Sequence, residues 1–271
     1  MKLGISTYTF TWAIGVPGHI PAHPLTAFQL VEKAAKYDVD CVQIADNLPL
    51  DTFTNDDLIL LKNHADKENI NIEVGMRGLK IPKVLQYLEI ARLFNSSFLR
   101  IVIDENEFHP SLEEIISLLK ELMPSFENHN IVLAIENHDR FLAAEFKYII
   151  ESVGSKYLGI CLDSVNSMGA GEGFREVSET LLPFTVNLHL KDFNITRVSH
   201  MMGFDILGAP AGQGMINVNE IIARASSNGK CVSAILELWT PFVNSIEETI
   251  ALEQKWADES ISFLKKLINK S

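Results

Sequence analysis

The chain lacks the features that would mark it for a membrane, an oxidising exterior or a nucleic acid. Its three cysteines, Cys41, Cys161 and Cys231, are an odd number without metal-type spacing, each set beside apolar strand-like residues. They read as buried thiols in a reducing compartment rather than as a disulfide framework. No apolar run approaches the roughly 18 residues of a spanning helix, and the start, "MKLGISTYTF", has no charged-then-apolar leader. A cytoplasmic location and no membrane partner are therefore expected. Positive charge is scarce: 23 Lys and Arg against 35 Asp and Glu leave a net charge of −12. That balance argues against a nucleic-acid partner, because binders of the phosphate backbone gather Lys and Arg on one face. Also missing are a Pro/Gly/Ser-rich linker, any step in composition, and a G-x-G-x-x-G turn after the first strand. Residues 1–271 are accordingly expected to form one domain, and a doubly wound dinucleotide-binding sheet loses its signature.

What is present is a repeat. A hydrophobic content of 47% can bury a large core, and short apolar runs alternate with longer amphipathic ones. Strands are expected at "KLGIS" (2–6), "CVQIAD" (41–46), "NIEVGM" (71–76), "FLRIVI" (98–103), "IVLAIEN" (131–137), "LGICLD" (158–163), "TVNLHLKD" (185–192) and "SAILELW" (233–239). Between them, stretches such as "LTAFQLVEKAAKY", "DDLILLKNHADKE", "IPKVLQYLEIARLF" and "SLEEIISLLKELMPSFENH" repeat apolar residues at spacings of three and four, and "SIEETIALEQKWADESISFLKKLI" closes the series. Eight strand–helix units with continuous Val, Ile and Leu strands predict an α/β fold, a single (β/α)₈ TIM barrel of parallel strands buried on both faces.

In such a barrel the active site collects at the C-terminal strand ends. Glu136 ends the fifth expected strand, Asp163 the sixth and Glu237 the eighth, while His189 lies late in the seventh. With period two, Glu136 shares its face with Ala134 and Val132, and Asp163 with Cys161 and Gly159, small side chains suited to a barrel interior. Three carboxylates and an imidazole on neighbouring strands would be costly to bury as bare charges, so a divalent metal ion is expected among them. Mostly carboxylate oxygens and no thiolate favour Mn²⁺, then Mg²⁺, with one histidine keeping Co²⁺ and Zn²⁺ in play. Singly, each residue has a plainer reading: Asp163 as a helix N-cap, His189 as a satisfied core histidine, the glutamates as strand-end surface groups. Jointly they form the expected metal site.

Other residues are candidates to contact a substrate. His138 shares a face with Glu136, or caps its loop. Asn166 and Lys191 extend from metal-bearing strand ends, where Lys191 can neutralise an oxyanion or form a structural salt bridge. Arg100, an unusual charge inside a strand, should be paired with Glu73 or Glu136. Tyr8 and Trp12 offer aromatic surface to a sugar, or pack into the core. The glycine-rich "GAPAGQG" serves a phosphate, a lid or a simple turn, and with no adjacent Lys or Arg an unphosphorylated substrate is favoured.

In order and spacing, "AIENH", "CLDSVN", "HLKDF", "GAPAGQG" and "ILELW" resemble the xylose isomerase-like superfamily of (β/α)₈ barrels, in its sugar phosphate isomerase/epimerase branch. The resemblance runs over nearly the whole chain. It implies that Glu136, Asp163, His189 and Glu237 bind the metal, with Glu136 and Glu237 doubling as acid/base groups. Two departures, Gln43 where the family often has glutamate and "GQG" for the commoner "GEG", bear on the substrate. The expected partner is a small-molecule sugar, keto-sugar, cyclitol or hydroxy-keto acid, and a homo-oligomer is compatible with the sequence. Chelation of a ketone and its neighbouring hydroxyl would support enediolate proton transfer, hence isomerisation or epimerisation. A dehydratase of a keto-cyclitol or dehydroshikimate-type substrate is the alternative. An abasic-site endonuclease, a two-carboxylate glycosidase and a non-catalytic sugar-binding protein are remoter rivals.

Overall fold

In a computed structural model describing residues 1–138 and 140–268, a closed barrel forms from β1 (Lys2–Ser6), β2 (Cys41–Ile44), β3 (Asn71–Arg77), β4 (Phe98–Val102), β5 (Val132–Glu136), β6 (Leu158–Asp163), β7 (Thr185–Leu190) and β10 (Ser233–Leu236). Each strand pairs in parallel with its neighbours, β10 closing onto β1. The fold is the single (β/α)₈ barrel that the repeat predicts. The helices are a single-turn α1 (Thr11–Ile14), then α2 (Ala27–Tyr37), α3 (Asn55–Lys67), α4 (Ile81–Leu93), α5 (Leu112–His129), α6 (Ala143–Val153), α7 (Phe174–Leu181), α8 (Val218–Ser227) and α9 (Ile246–Ile268).

Local chemistry explains where these elements begin. Thr26, Thr54 and Ser111 cap α2, α3 and α5 in reciprocal pairs with Gln29, Asp57 and Glu114, which satisfies amides that a helix start leaves without partners. Apolar side chains on the outer strand faces and inner helix faces form one continuous core. The small cluster of Phe98, Ala134 and Cys161 fills the barrel interior. Near it the interior is polar and buried: Gln43, Glu73, Asn187 and Ser233 bond to one another below the strand ends.

The seventh unit differs from expectation. The strand ends at Leu190, and after Lys191 the chain enters an antiparallel hairpin, β8 (Asp192–Arg197) with β9 (Phe204–Ala209). Its alternation was hidden because Ile195, Phe204, Ile206 and Leu207 are all exposed, so no face of the hairpin carries a buried apolar stripe to read.

Candidate active site

Adjacent strand ends bring the four expected ligands together. Register sets Asp163 directly beside His189 on β6 and β7, and Glu237 follows β10 immediately, its amide bonded to the Leu190 carbonyl at 3.0 Å. His189 Nδ1 lies 3.3 Å from Glu136 Oε2, 3.4 Å from Glu237 Oε1 and 3.9 Å from Asp163 Oδ2, all four groups fully buried. Glu136 Oε1 accepts from Asn166 Nδ2 at 2.7 Å, and Glu136 Oε2 accepts from Arg100 Nε. Asp163 divides its work. Oδ1 accepts the amides of Val165 and Asn166 at 2.8 and 2.9 Å, while Oδ2 faces Lys191 Nζ at 2.7 Å. It is therefore both a turn cap and a site group. Lys191 bridges onward to Glu237 Oε2 at 2.9 Å, and Ser6 donates to Glu237 Oε1 at 3.0 Å.

Whether these groups fit a cation is decided at His189. Its Nε2 contacts Gln43 Oε1 at 2.7 Å. The Gln43 amide cannot be reversed, because its nitrogen donates to Asn187 Oδ1 at 3.1 Å and to Glu73 Oε2 at 3.3 Å. Nε2 must therefore be the protonated nitrogen, which leaves the neutral ring with a lone pair on Nδ1. That atom is buried, has no hydrogen-bond partner, and points at three carboxylates. A lone pair facing three anions calls for positive charge between them. Without an ion a proton on Nδ1 supplies it: burial lowers the His189 pKa, but Glu237 and Glu136 prevail and raise it. A divalent ion in its place fits the same three carboxylates and the imidazole. Ligand atoms of Asp163, His189 and Glu237 lie within 4.8 Å of one another, as do those of Glu136, Cys161 and His189. The Cys161 thiol is engaged below, donating to Asn187 Oδ1 at 3.0 Å.

The desolvation argument for a metal is weaker than the sequence suggests, because Arg100 and Lys191 already touch the carboxylates. Burial by itself raises the Glu136 and Glu237 pKa values. With His189 as the imidazolium, the Arg100 and His189 charges outweigh burial at Glu136 and hold the carboxyl well below the usual range, while His189 and Lys191 hold Glu237 below its ordinary value. Burial likewise opposes the Lys191 charge, but Asp163 and Glu237 prevail and raise its pKa, so it stays an ammonium.

Arg100 pairs with Glu136 and, through Nη1 at 2.8 Å, with Asp46, not with Glu73. Glu73 lies deeper, against Gln43 and Ser233. Asp46 is shared: Arg77 Nε reaches its Oδ2 at 3.0 Å, and Tyr8 donates its hydroxyl there at 3.0 Å. Burial pushes the Asp46 pKa up, but the two guanidiniums override it and lower it to about 2. Above these groups opens a cavity of about 430 Å³ lined by Tyr8, Trp12, Arg77, Arg100, Glu136, His138, Asn166, Lys191 and Glu237. Every expected substrate contact therefore borders one space, with Asp163 and His189 beneath it. Trp12 is held by its indole N–H donating to the Thr240 carbonyl at 2.8 Å and by the Phe242 ring at 5.4 Å. Asp46 and Arg77 are not among the sequence candidates. Asp46 ends the second expected strand, and Arg77 lies one residue past the third as quoted, in a strand that runs to Arg77 in the structure, so the strand-end rule applied to every strand points to both.

The "GAPAGQG" segment forms a turn, the plainest of its three expected tasks, wrapped around a carboxylate. The amides of Gly212, Gly214 and Ile216 donate to the Asp192 carboxylate at 2.9, 2.9 and 3.0 Å. The turn is a nest of amides already filled by this chain's own anion, so it has no vacancy for a phosphate. A Cβ at Gly214 would sit 2.1 Å from Asp192 Oδ1, which is why the position requires glycine.

Fold and site define a (β/α)₈ barrel with a potential divalent-cation centre at its C-terminal mouth. Residues 31–267 match the family described as Xylose isomerase-like TIM barrel, and the chain belongs to it. Over 264 residues it is 31% identical to a 3-oxo-isoapionate decarboxylase from Pectobacterium atrosepticum, covering 97% of this chain and 95% of that one. Its fold is similar to a D-psicose 3-epimerase crystallised with D-tagatose from Clostridium cellulolyticum H10 (TM-score 0.73, 17% identity, 99% of each chain). It is also similar to a xylose isomerase-like TIM barrel protein from Mycobacterium smegmatis in complex with magnesium (TM-score 0.69, 14% identity, 96% of this chain and 97% of that one).

Proposed function

We propose that the protein is a metal-dependent decarboxylase of a 3-oxo sugar acid, with residues 1–271 acting as one domain. Glu136, Asp163, His189 and Glu237 would hold the ion. When bound, it would supply Lewis-acid polarisation of the substrate's ketone oxygen. In a 3-oxo acid the bond between C1 and C2 breaks, C1 leaves as CO₂, and the electron pair delocalises from C2 onto the C3 oxygen; C2 then takes one proton. No proton is removed from carbon, so a single donor suffices.

The observation that carries this choice is the pairing of Glu136 with Arg100. The guanidinium on Oε2, with Asn166 on Oε1, favours the carboxylate form and holds Glu136 as an anion suited to a ligand rather than to carrying a proton. Epimerisation would need Glu136 and Glu237 to exchange protons with carbon in turn. Glu237 borders the same cavity but has different donors: the Lys191 ammonium and the Ser6 hydroxyl, a pair through which a proton can reach C2, in place of a guanidinium. The full-length similarity to a 3-oxo-isoapionate decarboxylase supports the same reaction. Glu136 thereby keeps its expected role as a ligand and gives up the acid/base role expected beside it.

Ketose epimerisation is the second reading, favoured by the two-carboxylate mouth and the fold shared with a D-psicose 3-epimerase. One experiment separates them. Incubation with Mn²⁺ or Mg²⁺ in D₂O should release CO₂ from a 3-oxo sugar acid and leave one solvent deuterium on the former C2. Glu237→Gln should lower the rate about 10²-fold or more. Ketose turnover with deuterium exchange, and no CO₂ from any 3-oxo acid offered, would replace decarboxylation with epimerisation.

A further inference from the structure

The geometry points to Arg77 as the anchor for the carboxylate of the substrate, an inference that rests on the reading of the site as one for a sugar acid. Three cations border the cavity. Lys191 is held between Asp163 and Glu237, with Asn166 Oδ1 at 3.4 Å. Arg100 is spent on Glu136, Asp46 and the Met76 carbonyl, and only 2% of it is exposed. Arg77 differs. Its one side-chain hydrogen bond among the described residues runs from Nε to Asp46, and 32% of its side chain is open to solvent. The terminal nitrogens of its fork are thus left for an acceptor from outside. Asp46 fixes the base of that fork, and Tyr8 and Arg100 fix Asp46 in turn, so the guanidinium is already oriented before a ligand arrives. A planar, oriented fork suits a carboxylate, which takes two parallel N–H bonds.

The charge balance favours an anion as well. Asp46, Glu136, Asp163 and Glu237 face Arg77, Arg100 and Lys191, which leaves one net negative charge around a neutral His189. A divalent ion turns that into one net positive charge. A monocarboxylate closes the balance, whereas a neutral ketose leaves it open. Because charge leaves the carboxylate as the bond to carbon breaks, Arg77 acts in binding and specificity rather than in the bond-breaking step.

The test is therefore an affinity. Calorimetry in Mn²⁺ compares erythronate, a trihydroxy acid that does not decarboxylate, with erythritol, the polyol that has a hydroxymethyl group in place of its carboxylate. Wild type should bind the acid about tenfold or more tighter. Arg77→Met should abolish most of that preference while retaining wild-type metal content, and Arg77→Lys should keep part of it. Equal binding of acid and polyol by wild type, no binding of the acid, or an undiminished preference in Arg77→Met with its metal in place each overturns the assignment. A preference that depends on Arg77 in a protein that releases no CO₂ would leave the anchor standing and reject decarboxylation alone.

Discussion

Gln43 is the residue on which the imidazole's orientation turns. Its carbonyl holds His189 Nε2 at 2.7 Å, and its amide nitrogen is locked by Asn187 and Glu73. An outer partner of this kind orients a ligating ring and sets its tautomer, and losing one typically costs about 10- to 100-fold in metal affinity. Gln43→Leu should weaken Mn²⁺ binding by that order, measured by calorimetry, while ¹⁵N shifts of the His189 ring lose the bias toward a proton on Nε2. Gln43→Glu keeps an acceptor and should bind metal at least as tightly as wild type. At the same scale, Glu136, Asp163, His189 and Glu237 were legible in sequence because strand alternation and strand ends are local properties. The His189–Gln43 contact was not, because the two residues are 146 positions apart and meet only across the closed barrel.

Among elements, α9 is more than an outer helix. Its buried Glu253 accepts the amides of Trp12 and Ala13 at 2.8 and 3.1 Å, holding α1 and with it the Trp12 wall of the cavity. Burial raises the Glu253 pKa to about 7 despite those two amides and Lys33. For an acid whose folded pKa lies above its unfolded one, the contribution to stability is complete below about pH 4.5 and is lost as pH rises through about 7, a fall of about 3 kcal/mol. Glu253→Gln should remove that slope, so that its denaturant midpoint changes less between pH 5 and pH 8 than the wild-type midpoint does. The main helices and all eight barrel strands were readable from periodicity. The β8–β9 hairpin and the Asp192-filled glycine turn were not, since exposed apolar residues and a carboxylate bound by backbone amides leave no periodic pattern.

For the molecule as a whole, barrel closure brings strands from both ends of the chain around one site, so an ion held there should bind the folded chain and not the unfolded one. A metal concentration 100 times its dissociation constant adds about 2.7 kcal/mol to stability under that condition. Thermal unfolding with Mn²⁺ against a chelator should show a higher midpoint in metal. The difference should collapse in Asp163→Ala, and an unshifted wild-type midpoint would count against the centre. Among the described residues no helix is long and apolar enough to cross a membrane.

By itself the sequence determined the eightfold alternation, the barrel class and the four groups at strands five to eight, because each depends on spacing along a single element. Tertiary structure alone decided the rest. Arg100 chose Glu136 and Asp46 over Glu73, Asp46 and Arg77 joined the site, and Asp192 filled the glycine turn. These are contacts between side chains on different elements, set by the direction and reach of each group once the barrel closes, and no local period encodes them.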